Sequence, residues 1–245
     1  MHSMLRGLFT LAVLSLGLLV QAADGPAKTK VLLITGDDVA PAHDWLSCAA
    51  ATRDLLNNSG RFDVTVVGSP EVLASEANLK GIDVIYFLMF NAHTPSLSEA
   101  GKANLLAFVK GGKGFVVSHL ASASFKDWPE FKALCGRIWV MGTSGHGPRS
   151  IFQAVVVDKA SPITAGVGDF KQDDELYAKM QGDAPIHVLL QAESDWSKQI
   201  EPLAFTLNYG QGRVFHHTFG HDPKALATPE VTKLLIQGTA WAAGK

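Results

Sequence analysis

The sequence predicts an α/β domain built on a doubly wound, mostly parallel sheet, with antiparallel strands added late in the chain. Three observations point to it. Residues 30–35 (KVLLIT) and 82–88 (IDVIYFL) are nearly continuous apolar runs without alternation, as expected of strands covered on both faces. Segments with helical period lie between the early strand-like runs, so the order is β, α, β. From about residue 150 to 218 the pattern changes to successive strand-like runs.

The elements follow in order. Residues 62–67 and 114–117 extend the parallel set. Trp45, Ala49, Thr52 and Leu56 fall on one face of a first helix, joined by Cys48 and Leu55. Trp45 is expected in that core face, although its indole could also offer an apolar surface to a sugar ring. Ser96, three residues before Glu99, suggests a capping box for a second helix, which Gly111-Gly112 ends beyond Val109. The glycines at 111, 112 and 114 follow a helix and precede a strand, the reverse of a phosphate-cradling loop, so they read as a turn. Late strands are expected over residues 151–157, 186–192, 202–208 and 213–218, with Gly210-Gln211-Gly212 as the hairpin turn before the last. Thr228 and Pro229 cap and start a closing helix whose buried face is Val231, Leu234, Leu235, Gly238, Trp241 and Ala242.

Residues 1–22 have the layout of a signal peptide, a short, weakly basic start followed by an apolar run over residues 8–20. That run is too short for the roughly 20 residues a membrane-crossing helix needs, so cleavage and a secreted or periplasmic destination are expected, with no stable membrane insertion afterwards. Residues 23–245 contain no linker, repeat or charge block, and read as one domain. The formal charge is −2, or −3 once Arg6 leaves with the leader, and no Lys/Arg cluster matches a phosphate backbone, which argues against a nucleic-acid partner. Cys48 lies in a helical stripe and Cys135 just before a glycine, and both are expected as buried thiols, although in an oxidising compartment one bridge between them is possible and sequence does not decide it. Oligomeric state is not legible.

A doubly wound sheet binds ligands beyond the carboxyl ends of its strands. There the first strand is followed by Gly36-Asp37-Asp38 and His43, the third by Asn91-Ala92-His93, and the fourth by Ser118-His119. His146 in SGHGP and His221 in FGHD lie further on, with Asp173, Asp174 and Glu175 between them. Imidazoles and carboxylates that converge are the material of a metal site or of acid/base catalysis. The bland readings are a solvated His43 at a helix start, a mobile loop around His146 and a solvated acidic face at Glu175. His93, His187, His216 and His217 are expected to be structural or exposed, with His216 and His217 facing opposite sides of their strand. No strained elbow of the Gly-x-Ser-x-Gly or Gly-x-Cys-x-Gly type follows the fourth strand, which reads VSHLAS.

The blocks KVLLITGDDVAPAHDW, GGKGFVVSHLASASF, DDELY, EPLAFTLNYGQGRVFHHTFGHD and TPEVTKLLIQGTAWAAG together resemble the ThuA-like trehalose-utilisation family, over nearly all of residues 23–245. The resemblance implies a flavodoxin-like fold close to the class I glutamine amidotransferases but without their catalytic cysteine, so not a glutaminase. It maps the family's recurring polar positions onto His43, His119, His146, Glu175 and His221. Ser118 stands where a glycine is usual, Cys135-Gly136-Arg137-Ile138 where Gly-Gly-Arg-Phe is usual, and His216-His217 where a Tyr-Thr pair is common, which points to altered substrate choice. The expectation is an exported enzyme acting on trehalose or a related disaccharide, including keto derivatives. His43, His119 and His221 would hold a divalent metal such as zinc, with Glu175 as a ligand or general base and His146 as a further catalytic residue. The alternative is a carbohydrate-binding or accessory protein that uses the same crevice without turnover.

Overall fold

The computed structural model describes residues 27–88, 90 and 97–245. The leader read at residues 1–22, Ser96 and His93 lie outside them. In chain order the strands are β1 (Thr29–Ile34), β2 (Phe62–Val67), β3 (Val84–Phe87), β4 (Gly114–Ser118), β5 (Ser150–Val156), β6 (Phe170–Asp174), β7 (His187–Glu193), β8 (Ile200–Tyr209) and β9 (Gly212–His217). The helices are α1 (Trp45–Asn58), α2 (Glu99–Lys110), α3 (Pro129–Cys135), α4 (Pro223–Leu226) and α5 (Pro229–Ala242). Among the described residues no helix is long and apolar enough to cross a membrane.

These strands form one sheet in the order β2-β1-β3-β4-β9-β8-β7-β5-β6. The first five run parallel, and every later pairing is antiparallel. The parallel strands are continuous apolar runs because both of their faces are covered. Val31, Leu33, Val84, Tyr86 and Val116 pack in the core that holds Leu56 of α1 and Leu234 of α5, while Leu32, Ile34, Ile85, Phe87 and Val117 pack in the core that holds Leu105 of α2 and Phe131 of α3. Tyr209 pairs with Gly212 across the expected hairpin, and Gly210 supplies the positive φ of +62° that its turn requires. Cys48 and Cys135 are both buried and unbridged.

Three local details differ from the sequence reading. The cap of α2 is Ser98, whose side chain accepts the Gly101 N–H, so Glu99 opens the helix instead of closing a box with Ser96. Three elements, α3, α4 and β6, had no counterpart in the reading. In β6 the residues alternate, with Phe170, Gln172 and Asp174 turned inward, so the acidic run is an edge strand and not a solvated face.

Strand direction explains the placement of the site. Because β9, β7 and β6 run the same way, the carboxyl end of β6 lies on the same rim as those of β1, β4 and β9. The far end of the sheet curls back so that β6 meets the segment after β9, where Asp174 Oδ2 accepts the Gly220 N–H at 2.8 Å and Phe170 meets Phe219.

Candidate metal centre

Four side chains from four strand ends converge on this rim. One ligand atom from each of His43, His119, Glu175 and His221 lies within 4.8 Å of the others. His43 Nε2 is 3.0 Å from His119 Nε2 and 3.8 Å from Glu175 Oε2. His119 Nε2 is 3.5 Å from the same carboxylate oxygen, and His221 Nδ1 is 3.2 Å from Oε1.

Each residue is delivered by a local device. His43 sits one residue before Asp44, the α1 cap that accepts the Ser47 N–H, so its ring lies at the positive end of the helix. Burial lowers its pKa, and His119 and His221 add to that effect against the raising pull of Glu175, which keeps the ring neutral and able to act as a ligand. His119 follows β4 directly with φ +49°, a left-handed conformation that a non-glycine residue adopts at a cost. It opens a 3-10 turn over His119–Ala123. Its Nδ1 donates to the Thr218 carbonyl at 2.6 Å, so in the neutral ring Nε2 carries the lone pair and faces the cluster. Stacking on the buried Tyr177, centroids 4.3 Å apart, fixes the plane of the ring.

His221 is set by the turn after β9. Gly220 takes φ +118°, and the Gly220 and His221 N–H groups both donate to Asp174. Glu175 itself follows β6. Burial alone would raise its pKa, but the rings of His119 and His43 outweigh this and hold the carboxyl well below the usual carboxylate range.

The loop that carries His146 is pinned, not mobile. Gly145 and Ala178 exchange backbone hydrogen bonds at 3.1 and 2.8 Å, and a Cβ on Gly145 would lie 2.5 Å from Trp196 Cη2. His146 Nδ1 donates to the Gly147 carbonyl, leaving Nε2 3.5 Å from Glu175 Oε1. His146, His43, Glu175, Trp139 and Tyr177 line a cleft of about 290 Å³, near the lower end of small-ligand pockets. Trp45 is half-buried and lines a narrow recess with His43, Cys48 and His119.

All five residues singled out in the sequence therefore meet. The remaining described histidines do not join them. His187 pairs with Asp158 at the surface, while His216 and His217 are buried on opposite faces of β9, bonded to the Cys135 carbonyl and the Tyr86 hydroxyl. Sequence reasoning missed the inner support, Asp174, and the aromatic wall of Trp139 and Tyr177. The sequence carried no clear signal for Asp174, because the inward face of β6 is itself polar at Gln172 and Asp174.

The four-atom cluster fits a divalent metal. A tetrahedral zinc with bonds near 2.05 Å separates its ligand atoms by roughly 3.3 Å; His43, His119 and Glu175 Oε2 are spaced at 3.0–3.8 Å, and one atom from each of the four residues lies within 4.8 Å of the others. Three imidazoles and one carboxylate are a common donor set for such an ion.

Comparison with known proteins agrees with the fold. The sequence model of the ThuA family, described as trehalose utilisation, matches residues 30–242. A ThuA-like protein from Parabacteroides merdae ATCC 43184 superposes with a TM-score of 0.79 at 28% identity, covering 89% of this chain and 91% of that one. A second, from Bacteroides uniformis ATCC 8492, gives 0.70 at 20% identity over 92% and 95% of the two chains. The β-galactosidase of Bacillus circulans sp. alkalophilus shares the fold over 91% of this chain but only 32% of its own, with a TM-score of 0.61 and 13% identity. No curated protein matches the chain.

Proposed function

The chain belongs to the ThuA family, and from that premise we propose that it is an exported, metal-assisted enzyme acting on an uncharged sugar, trehalose or a related disaccharide or keto-sugar. The convergence of His43, His119, Glu175 and His221 within 4.8 Å carries the reading. The family description supplies the sugar, and the cleft supports its uncharged character. Asp38 and Glu175 are the acidic side chains along its wall, and no lysine or arginine is among the described lining residues, so the proposed ion is the one positive charge there to meet a phosphate or carboxylate. Trp139, half-buried in the cleft wall and backed by the buried Tyr177, offers ring surface to the apolar face of a sugar. Export rests on the leader composition of residues 1–22.

Each residue then has a task. A divalent ion held by His43, His119, His221 and Glu175 would supply Lewis acidity toward a substrate oxygen. His119 keeps its lone pair on Nε2 because Thr218 holds the Nδ1 proton. His146 has its Nδ1 proton committed to the Gly147 carbonyl, so Nε2, between Glu175 and the open cleft, is the nitrogen that takes up and releases a proton. That position suits a general acid or base. Val39, Leu120, Met141 and Trp139 form the apolar part of the cleft wall.

Elemental analysis of the purified protein, together with turnover assays on oxidised and unmodified disaccharides with and without chelator, tests the proposal. One metal per chain, lost in His119→Ala and His221→Ala, and chelator-sensitive turnover are expected. Sugar binding with neither metal nor turnover would replace the enzyme with the non-catalytic binding protein.

A further inference from the structure

Three site residues, His146, Glu175 and His221, lie on segments far apart in sequence, and one guanidinium joins those segments. Arg149 Nε donates to Asp173 Oδ1 at 2.9 Å and Nη2 to the Asp173 carbonyl at 3.3 Å. Nη1 donates to Asp222 Oδ2, and Nη2 reaches Asp222 Oδ1 at 3.5 Å. In the chain Arg149 lies three residues after His146, Asp173 two before Glu175 and Asp222 one after His221. Asp222 Oδ1 also accepts the Ala225 N–H and so ties the assembly to the start of α4, while Lys224 braces Asp173 from outside at 3.0 Å.

We propose that Arg149 is the positioning residue that sets the separation of His146, Glu175 and His221, by clamping their three segments through Asp173 and Asp222. Its hydrogen bonds and ion pairs go to Asp173 and Asp222 and to none of the three side chains. Its planar fork meets two carboxylates and a carbonyl at once, a task a lysine ammonium cannot reproduce. The ion pairs themselves are part-exposed, and pairs of that kind contribute little to global stability. The effect of losing them therefore falls on local geometry. The clamp is independent of the metal proposal except where zinc is the readout.

The test compares parent, Arg149→Lys, Arg149→Met, Asp222→Asn and the Arg149→Met/Asp222→Asn double variant, full-length and metal-free, by amide hydrogen exchange. Arg149→Met should speed exchange by about fivefold or more both in residues 144–149 and, across the clamp, in residues 219–226, leaving β1–β4 unchanged. Arg149→Lys should recover part of the protection, and the double variant should be no looser than Arg149→Met, because both mutations open the same link. Zinc affinity, measured by chelator competition, should fall about 10- to 100-fold in Arg149→Met without a matching fall in Tm. Loosening confined to residues 144–149, or additive effects in the double variant, overturns the clamp. A parent protein that binds no zinc removes the metal proposal and leaves the exchange result to decide the clamp.

Discussion

Replacing Asp174 with alanine is the most informative single perturbation of the support beneath the site. Its carboxylate is fully buried and accepts three backbone N–H groups, from Glu175 at 2.9 Å, Gly220 at 2.8 Å and His221 at 3.2 Å. The Glu175 amide is adjacent and can turn toward solvent, but the Gly220 and His221 amides would be stranded in the turn after β9. A buried donor without a partner costs roughly 1–3 kcal/mol, so the two together give about 4 kcal/mol within a range of 2–6. Against a total stability of about 5–15 kcal/mol this is a large fraction. For a chain of this size it corresponds to a Tm lowered by roughly 8–16 °C. Asp174→Asn keeps one carbonyl acceptor and should lose about half as much. Urea and thermal unfolding, with the m-value monitored for a change in the denatured state, provide the measurement. An alanine variant within about 1 kcal/mol of the parent would refute the assignment of Asp174 as the anchor of the His221 turn.

Three further outcomes are expected. His146→Asn should retain bound metal while turnover falls by about 10²- to 10⁴-fold, as for loss of an acid/base group; loss of metal as well would make His146 a ligand instead. Burial lowers the pKa of His216 from 6.5 to about 4 and that of His217 well below 6.5. The unfolded chain therefore takes up protons near pH 6.5 that the folded chain refuses, so stability is complete above that pH and declines as pH falls, by up to about 1.4 kcal/mol per unit per ring. Urea unfolding at pH 7.5 and pH 5 should show the decline, and His216→Leu should make it shallower; a flat profile contradicts the burial argument. Gly145→Ala places a methyl 2.5 Å from Trp196 Cη2 and should cost about 1–3 kcal/mol, recovered by Trp196→Leu. No recovery in the double variant would show that the indole is not the obstacle.

The parallel half of the fold is legible because its strands are buried on both faces, so β1, β3 and β4 read as apolar runs whatever surrounds them. The carboxyl-end rule then picks out His43, His119 and His221 without knowledge of distances. Glu175 resists that logic. Its strand has alternating Lys171 and Asp173 on the outside and a polar Gln172 and Asp174 inside, so neither face looks apolar in sequence. The inward polarity has a use visible only in three dimensions, since Gln172 bonds the Ala225 carbonyl and Asp174 bonds the His221 turn. Likewise α3 is a seven-residue helix whose one clear signal is Pro129 at its first position, and so short an apolar pattern cannot be told from loop.

The curl that returns β6 to the segment after β9 has a consequence for how the protein matures. A folding intermediate holding only the five parallel strands would already hold His43 and His119 near one another but would lack both the Glu175 carboxylate and the Asp174 anchor of the His221 turn, which arrive when the last antiparallel strands close. Uptake of a divalent ion would then report completion of the whole chain, and adding zinc during refolding should speed the final step only if the imidazoles alone can capture it.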